Sequence, residues 1–271
     1  MIIEIPDDFD LKKIAESGQC FRWEPLEDGG WRIPFRGRRL YISPVSECGY
    51  HTDCTPREWE TLWRPYFDLE TDYSAIRGRI DRRRDPFLSR AADAYRGIRI
   101  LRQDPWETLV SFIISQNRNI PAIRRSIALL CEAAGERLTD CRGEPFHAFP
   151  SPEAILELYD AAMDACRLGY RGKYVRAAAK AAAEGSLLPD ALADVPEAEA
   201  MRALTSLYGV GVKVASCVSL FGLHNLDAFP VDVWIRRVLE TEYPEGYPLK
   251  QYSPYNGVYQ QYMFAYYRNR Q

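Results

Sequence analysis

Leu207-Tyr-Gly-Val-Gly-Val-Lys213, followed by an apolar-striped segment and then by Phe229-Pro-Val-Asp232-Val-Trp234, is the stretch from which the fold reads most directly. A helix from about Glu197 to Ser206 has to end ahead of Gly209. The chain turns through Gly209 and Gly211, and a second helix begins at Val212 or Lys213. Glycines one residue apart let a backbone approach a ligand closely, and at a helix N-terminus their amides form an anion site suited to a DNA phosphate. On its own the pair equally describes a tight interhelical turn. Val214, Cys217, Val218 and Phe221 form the apolar stripe of the second helix, and Lys213 lies one position off it. There the amine sits beside the core at the positive helix end, a setting that disfavours the ammonium form and suits a Schiff-base nucleophile. Asp232 opens the next amphipathic helix (Val231, Trp234, Ile235, Val238, Leu239) and by itself reads as an N-cap. A capping carboxylate is also held rigidly, with one oxygen left to face a site.

The same helical grammar extends over most of the chain. Asp104-Pro105 is an N-cap with Pro at the first helical position, and Trp106, Leu109, Val110, Ile113 and Ile114 then define one apolar face. Ser151-Pro152-Glu153 starts another helix in the same way, and Tyr170 to Glu184 is a third. The first ~75 residues differ. Trp31–Phe35 and Leu40–Ile42 are short segments separated by Gly29-Gly30 and Gly37, which are strand and turn signals. The expected class is α+β: a small N-terminal antiparallel sheet domain over residues 1–85, then a mainly helical body over 86–271. That body contains the helical hairpin (about 197–222) and the Pro-Val-Asp loop (229–233).

Composition narrows the function. The 271 residues carry 35 basic and 38 acidic side chains, a net charge of −3, which excludes a polybasic DNA coat. The acidity is local. Residues 1–75 hold 9 basic and 15 acidic groups, whereas residues 76–271 hold 26 and 23. Arg118, Arg124, Arg125, Arg171 and Lys173 all lie in the helical part. No apolar run approaches the ~20 residues of a membrane helix, and the N-terminus has no secretory pattern, so a cytoplasmic protein without a membrane partner is expected. Seven scattered cysteines without a CxxC pair, and only three histidines, match neither a disulfide framework nor a metal site.

LYGVGVKVASC followed by FPVDVWIRRVL resembles the helix-hairpin-helix and following Asp loop of the DNA glycosylase superfamily, and more narrowly the 8-oxoguanine DNA glycosylase/AP lyase family. Ser17-Gly-Gln-Cys-Phe-Arg-Trp23, Asp104-Pro105 through Asn119, Leu168-Gly-Tyr-Arg171 and Gly257-Val-Tyr-Gln-Gln-Tyr-Met-Phe264 extend the likeness in order along the chain. The resemblance implies a bifunctional enzyme that excises 8-oxoguanine from double-stranded DNA and nicks the strand. Lys213 would be the nucleophile and Asp232 the electrostatic partner. Phe264 and Cys217 would sandwich the flipped base, Gln260 would face its Watson–Crick edge, and the Gly18 carbonyl would accept the N7–H that guanine lacks. Gly209, Gly211 and Trp234 would lie against DNA, and Asn117, Tyr170 and Arg171 would contact the opposite strand.

Two departures are visible. Ala122 stands where animal members carry a cytosine-reading arginine, which implies relaxed opposite-base selectivity. Trp234 stands where they carry a histidine, which points to a bacterial or archaeal type. No redox or nucleotide cofactor is implied; a monovalent cation at the hairpin carbonyls is, and so is a monomer. Two other readings share parts of the pattern: a monofunctional alkylpurine glycosylase, and a non-catalytic helix-hairpin-helix DNA-binding module.

Overall fold

The computed structural model describes residues 1–270. Five strands form one antiparallel sheet: β1 (Ile2–Glu4), β2 (Glu24–Pro25), β3 (Trp31–Phe35), β4 (Arg38–Pro44) and β5 (Gly49–Thr52), in the order β1-β5-β4-β3-β2. In β3 the alternation Trp31, Ile33, Phe35 turns every second side chain inward, and its register with β4 sets Trp31 against Ile42 and Ile33 against Leu40. This face packs on Trp23, Trp59, Trp63, Tyr66 and Phe67, an aromatic core separate from that of the helices. Between β1 and β2 lies a short helix, α1 (Leu11–Glu16), capped by the Asp10 carboxylate.

The helical body is built from α2 (Pro86–Ala94), α3 (Pro105–Ser115), α4 (Ile120–Ala134), α5 (Arg171–Ala183), α6 (Glu197–Ser206), α7 (Val212–Phe221), α8 (Val233–Glu242) and α9 (Asn256–Arg268), with shorter helical turns between them. The caps expected from sequence are present. Asp104, Ser151 and Asp232 each accept from backbone N–H groups of the first turn they precede. The hairpin helices α6 and α7 pack together, α7 packs on α3, and α9 packs on α2 and α8. Phe112 of α3 and Phe221 of α7 stack with centroids 5.5 Å apart, fixing the two helices that frame the site.

One element of the mainly helical body is not helical. Arg137–Thr139 (β6) and Pro145–His147 (β7) form a two-stranded hairpin. It is held by the sheet domain. Arg39 and Tyr41 of β4 donate to the Asp140 carboxylate at 3.1 and 2.7 Å, and Arg142 donates to Asp53 at 2.5 Å. With these donors around it, the Asp140 carboxyl titrates at about 2, even though burial alone would raise it.

The sheet and the helices are joined by Arg99, which is fully buried. Its guanidinium donates to the carbonyls of Phe67, Asp8, Asp68 and Thr71 and to the Asp7 carboxylate, and lies 4.2 Å from the Tyr73 ring centroid. Five donors in a rigid fork suit a junction crowded with carbonyls, a task a lysine could not perform. The Arg99 carbonyl in turn accepts from Gln19, beside Gly18.

Candidate active site

The hairpin forms as its glycines require. Gly209 has φ +84°, and a Cβ there would fall 2.2 Å from Cγ of the Tyr174 ring. Both the backbone and the close approach therefore demand glycine. Gly209→Ala is expected to destabilise the protein by about 1–3 kcal/mol through strain and overpacking; an unchanged thermal unfolding midpoint would contradict this. Gly211 is the N-cap of α7 and brings no side chain to that role, which leaves the first amides of the helix uncapped and facing outward beside exposed Val212. Tyr208, Tyr174 and Tyr170 continue this face as an edge-to-face aromatic row, with Lys173 Nζ 5.4 Å from the Tyr174 and Tyr208 centroids.

Lys213 and Asp232 open into one cleft of about 460 Å³, together with Gly18, Phe112, Trp234, Phe264 and Arg268. Lys213 Nζ lies over the Phe112 ring, 5.3 Å from its centroid. Asp232 Oδ1 accepts from the amides of Trp234 and Ile235 at 3.0 and 2.8 Å, so the N-cap and site-facing roles coincide in one carboxylate. A smaller recess of about 60 Å³ continues inward, lined by Gly18, Lys213, Cys217, Asp232, Gln260 and Phe264 among others. It has room for about two waters. Among its apolar side chains, Phe264 is the one that is only partly buried. Burial pushes the Cys217 thiol up to about 11 against the opposing pull of Lys213, so this wall of the recess is uncharged at neutral pH.

Gly18 has φ +81°, and a Cβ there would press on Phe264 at 3.4 Å. The surrounding Ser17–Trp23 segment is mostly scaffold. Gln19 is buried and its amide bonds Ser17 Oγ, the Arg99 carbonyl and the Leu101 N–H, while Arg22 donates to Glu107 and Trp23 to Tyr66. These contacts fix the backbone that presents Gly18 to the recess.

Three further residues assemble at the far side of the hairpin, in a different manner from one another. Asn117 is exposed at φ +51° and donates to the Tyr170 hydroxyl at 3.1 Å. Tyr170 is exposed as well. Arg171 is buried. Its guanidinium donates to the Gln116 carbonyl, at 2.6 Å from Nε, and to the Asn117 carbonyl at 3.3 Å, and it stacks on Tyr170. It braces the Asn117 loop rather than projecting from it. Gln116 Nε2 then donates to the Gly209 carbonyl, joining that loop to the hairpin.

Sequence reading missed Phe112, Arg268 and Gln261 as members of the site. Phe112 looks like one more core residue of the α3 stripe, and Arg268 like a helix-end charge. Arg268 is folded back, with its guanidinium 5.1 Å from the Phe264 centroid and donating to the Glu16 carbonyl.

A helical hairpin with a lysine at its second helix and a capping aspartate beyond it is the arrangement expected of the DNA glycosylase class that the sequence resembles. In agreement, residues 110–244 match the family model described as HhH-GPD superfamily base excision DNA repair protein, and residues 2–109 match that of the 8-oxoguanine DNA glycosylase N-terminal domain. The N-glycosylase/DNA lyase of Saccharomyces cerevisiae is 37% identical over 257 residues, covering 86% of this chain and 68% of the yeast protein. Two solved structures superpose closely. One is MBOgg1 in complex with a low affinity DNA ligand (TM-score 0.93, 35% identity, 99% of this chain and 95% of that one). The other is the Clostridium acetobutylicum 8-oxoguanine glycosylase/lyase in complex with dsDNA containing cytosine opposite 8-oxoG (TM-score 0.88, 33% identity, 100% and 98%). The chain belongs to the 8-oxoguanine DNA glycosylase family within the HhH-GPD superfamily.

Proposed function

We propose that this protein is a bifunctional DNA glycosylase/AP lyase that excises 8-oxoguanine from duplex DNA through a Schiff base on Lys213. The observation that carries the reading is the convergence of Lys213 and Asp232 on one cleft whose inner recess is lined by Gly18, Cys217, Gln260 and Phe264. Gly209, Gly211 and the first amides of α7 grip a phosphate, with Trp234 on the same side, and the damaged nucleotide turns out of the stack into the cleft. The base enters between Phe264 and Cys217, with Gln260 at its Watson–Crick edge. The Gly18 carbonyl accepts the N7–H of 8-oxoguanine. Against guanine two acceptors would meet there, and the unmade hydrogen bond costs about 1–3 kcal/mol, roughly ten- to a hundredfold in discrimination.

The Lys213 amine, neutral when it reacts, attacks C1′. The C1′–N9 bond breaks with its electron pair leaving on the base, which takes up the proton that the amine loses on bonding to C1′. Asp232 stabilises the positive charge that develops on the sugar. The ring opens to an imine, a proton leaves C2′, and the C3′–O bond breaks, releasing the 3′ phosphate and nicking the strand.

Borohydride trapping on an 8-oxoguanine duplex tests this chemistry. A trapped covalent complex is expected. Base release without trapping would favour the monofunctional alkylpurine reading, and binding without either would favour a non-catalytic module.

Asn117 and Tyr170 occupy the gap left by the flipped nucleotide, and Arg171 holds them there. Ala122 at the start of α4 brings no charged donor to cytosine, and the Arg171 guanidinium is already committed to the Gln116 and Asn117 carbonyls. Excision rates opposite C, A, G and T are therefore expected within about tenfold of one another, one such factor being 1.4 kcal/mol. A strong preference for C in parallel time courses would overturn this.

Seven unpaired thiols suit a cytoplasmic setting, and no helix among the described residues is long and apolar enough to cross a membrane. A monovalent cation at the hairpin would be held by its backbone carbonyls. No step of the reaction runs through it.

A further inference from the structure

Arg268 ends α9 one turn beyond Phe264, and its guanidinium is turned back over that ring, 5.1 Å from the centroid. It is anchored there, because Nη2 donates to the Glu16 carbonyl at the end of α1 at 2.7 Å. The other terminal nitrogen, Nη1, reaches Gly18, lying 3.9 Å from the position a Cβ would take. It is buried and has no acceptor among the described residues. Arg268 and Phe264 line the cleft that holds Lys213 and Asp232, whereas Phe264 and Cys217 line the inner recess without Arg268. The guanidinium thus backs the face of Phe264 turned away from Cys217. Burial holds the Arg268 guanidinium below the usual arginine range, and the pull of Tyr95, Glu16 and Asp232 does not offset it. An apolar side chain of similar length would brace Phe264 without taking a charge out of water.

We infer that Arg268 is the positive counter-charge for the departing base, acting on it across Phe264 and Gly18. This rests on the reading of the cleft as the site of base excision. As the C1′–N9 bond breaks, its electron pair passes to the purine and spreads over N9, C8 and O8 until the proton that the amine loses arrives. Phe264 and Gly18 are the two groups read as holding that five-membered ring, one on its face and one at N7–H, and the guanidinium touches both. The bound base is neutral and the leaving base is not, so a fixed cation here favours the transition state over the bound substrate. The other anion at hand is a backbone phosphate, which is present with or without the base. A duplex that already lacks the base separates the two.

Two single-turnover rates are measured for each protein: base release from an 8-oxoguanine duplex, and strand cleavage of a duplex carrying a preformed abasic site. Two variants of the full chain are compared with the wild type. Arg268→Met keeps the packing on Phe264 and removes the charge, while Arg268→Lys keeps the charge and loses the planar fork. In Arg268→Met, base release is expected to fall about tenfold, 1.4 kcal/mol of barrier, with abasic-site cleavage within about twofold of wild type. Arg268→Lys is expected to retain base release within about threefold. Because both rates come from one preparation, their ratio is unaffected by a partly unfolded fraction. An unchanged ratio in Arg268→Met would overturn the inference, since a brace for the fold or a phosphate contact slows both reactions alike. Equal losses of base release in the two variants would also overturn it, because shape rather than charge would then matter. Failure of the wild-type protein to release 8-oxoguanine at all would instead overturn the glycosylase reading itself.

Discussion

Lys213→Gln is expected to lose borohydride trapping altogether and to lower strand cleavage at 8-oxoguanine by at least ~10³-fold, about 4 kcal/mol of barrier. The amide is close in size to the amine it replaces, but it cannot form an imine. Lys213 is only partly buried, and the structure places its amine over the face of Phe112 and beside Cys217. Removing the cation at such a site changes stability by about 1 kcal/mol or less. The variant should therefore melt close to the wild type and still bind duplex DNA through the hairpin amides, which the substitution leaves in place. Persistent nicking by a folded Lys213→Gln protein would show that another group forms the covalent bond.

Asp232→Asn separates two roles that one side chain combines. Oδ1 of Asp232 caps α8 through the Trp234 and Ile235 amides, and asparagine caps a helix about as well as aspartate. The thermal midpoint of Asp232→Asn should thus stay within about 0.5 kcal/mol of the wild type in stability. The negative charge, by contrast, is gone from beside the sugar. Single-turnover base excision is expected to fall about 10²–10³-fold, the usual effect of removing one preorganised electrostatic group from a site. Asp232→Ala should add the lost cap, about 1 kcal/mol, to the same catalytic defect. Excision by Asp232→Asn at near wild-type rates would leave Asp232 with the cap alone.

Both variants turn on residues that could be found by reading along the chain, because their signals are local. A left-handed glycine, an Asx cap and a helix-period stripe each act over a few residues. Hence α6, the Gly209–Gly211 turn, α7 and the Asp232 cap stand where the pattern places them. Elsewhere the local signal gives out. The β6–β7 hairpin lies in a stretch from which no strand is read in the sequence, and its acidic anchor Asp140 is satisfied by Arg39 and Tyr41, about a hundred positions earlier. Phe112 carries the periodicity of an ordinary core residue, and only the closing of α7 against α3 makes it a wall of the cleft.

Arg171 shows the same division most plainly. Its place in the Leu168–Arg171 segment reads as a DNA contact, yet the folded chain turns its guanidinium inward to the Gln116 and Asn117 carbonyls, leaving Asn117 and Tyr170 as the exposed pair. The Gln260 amide likewise has no motif to announce its orientation, which the Pro230 carbonyl decides by accepting from its Nε2. The amino-acid order alone was enough for the α+β class, the hairpin, the place of Lys213 at the start of α7 and the capping carboxylate of Asp232, since backbone preference and helical period act between near neighbours. The shape of the recess, the bracing of the Asn117 loop and the polarity of the Gln260 amide came from folding. Each depends on directional donors and acceptors supplied by segments far apart in the chain, and such pairing leaves no periodic trace in any one of them.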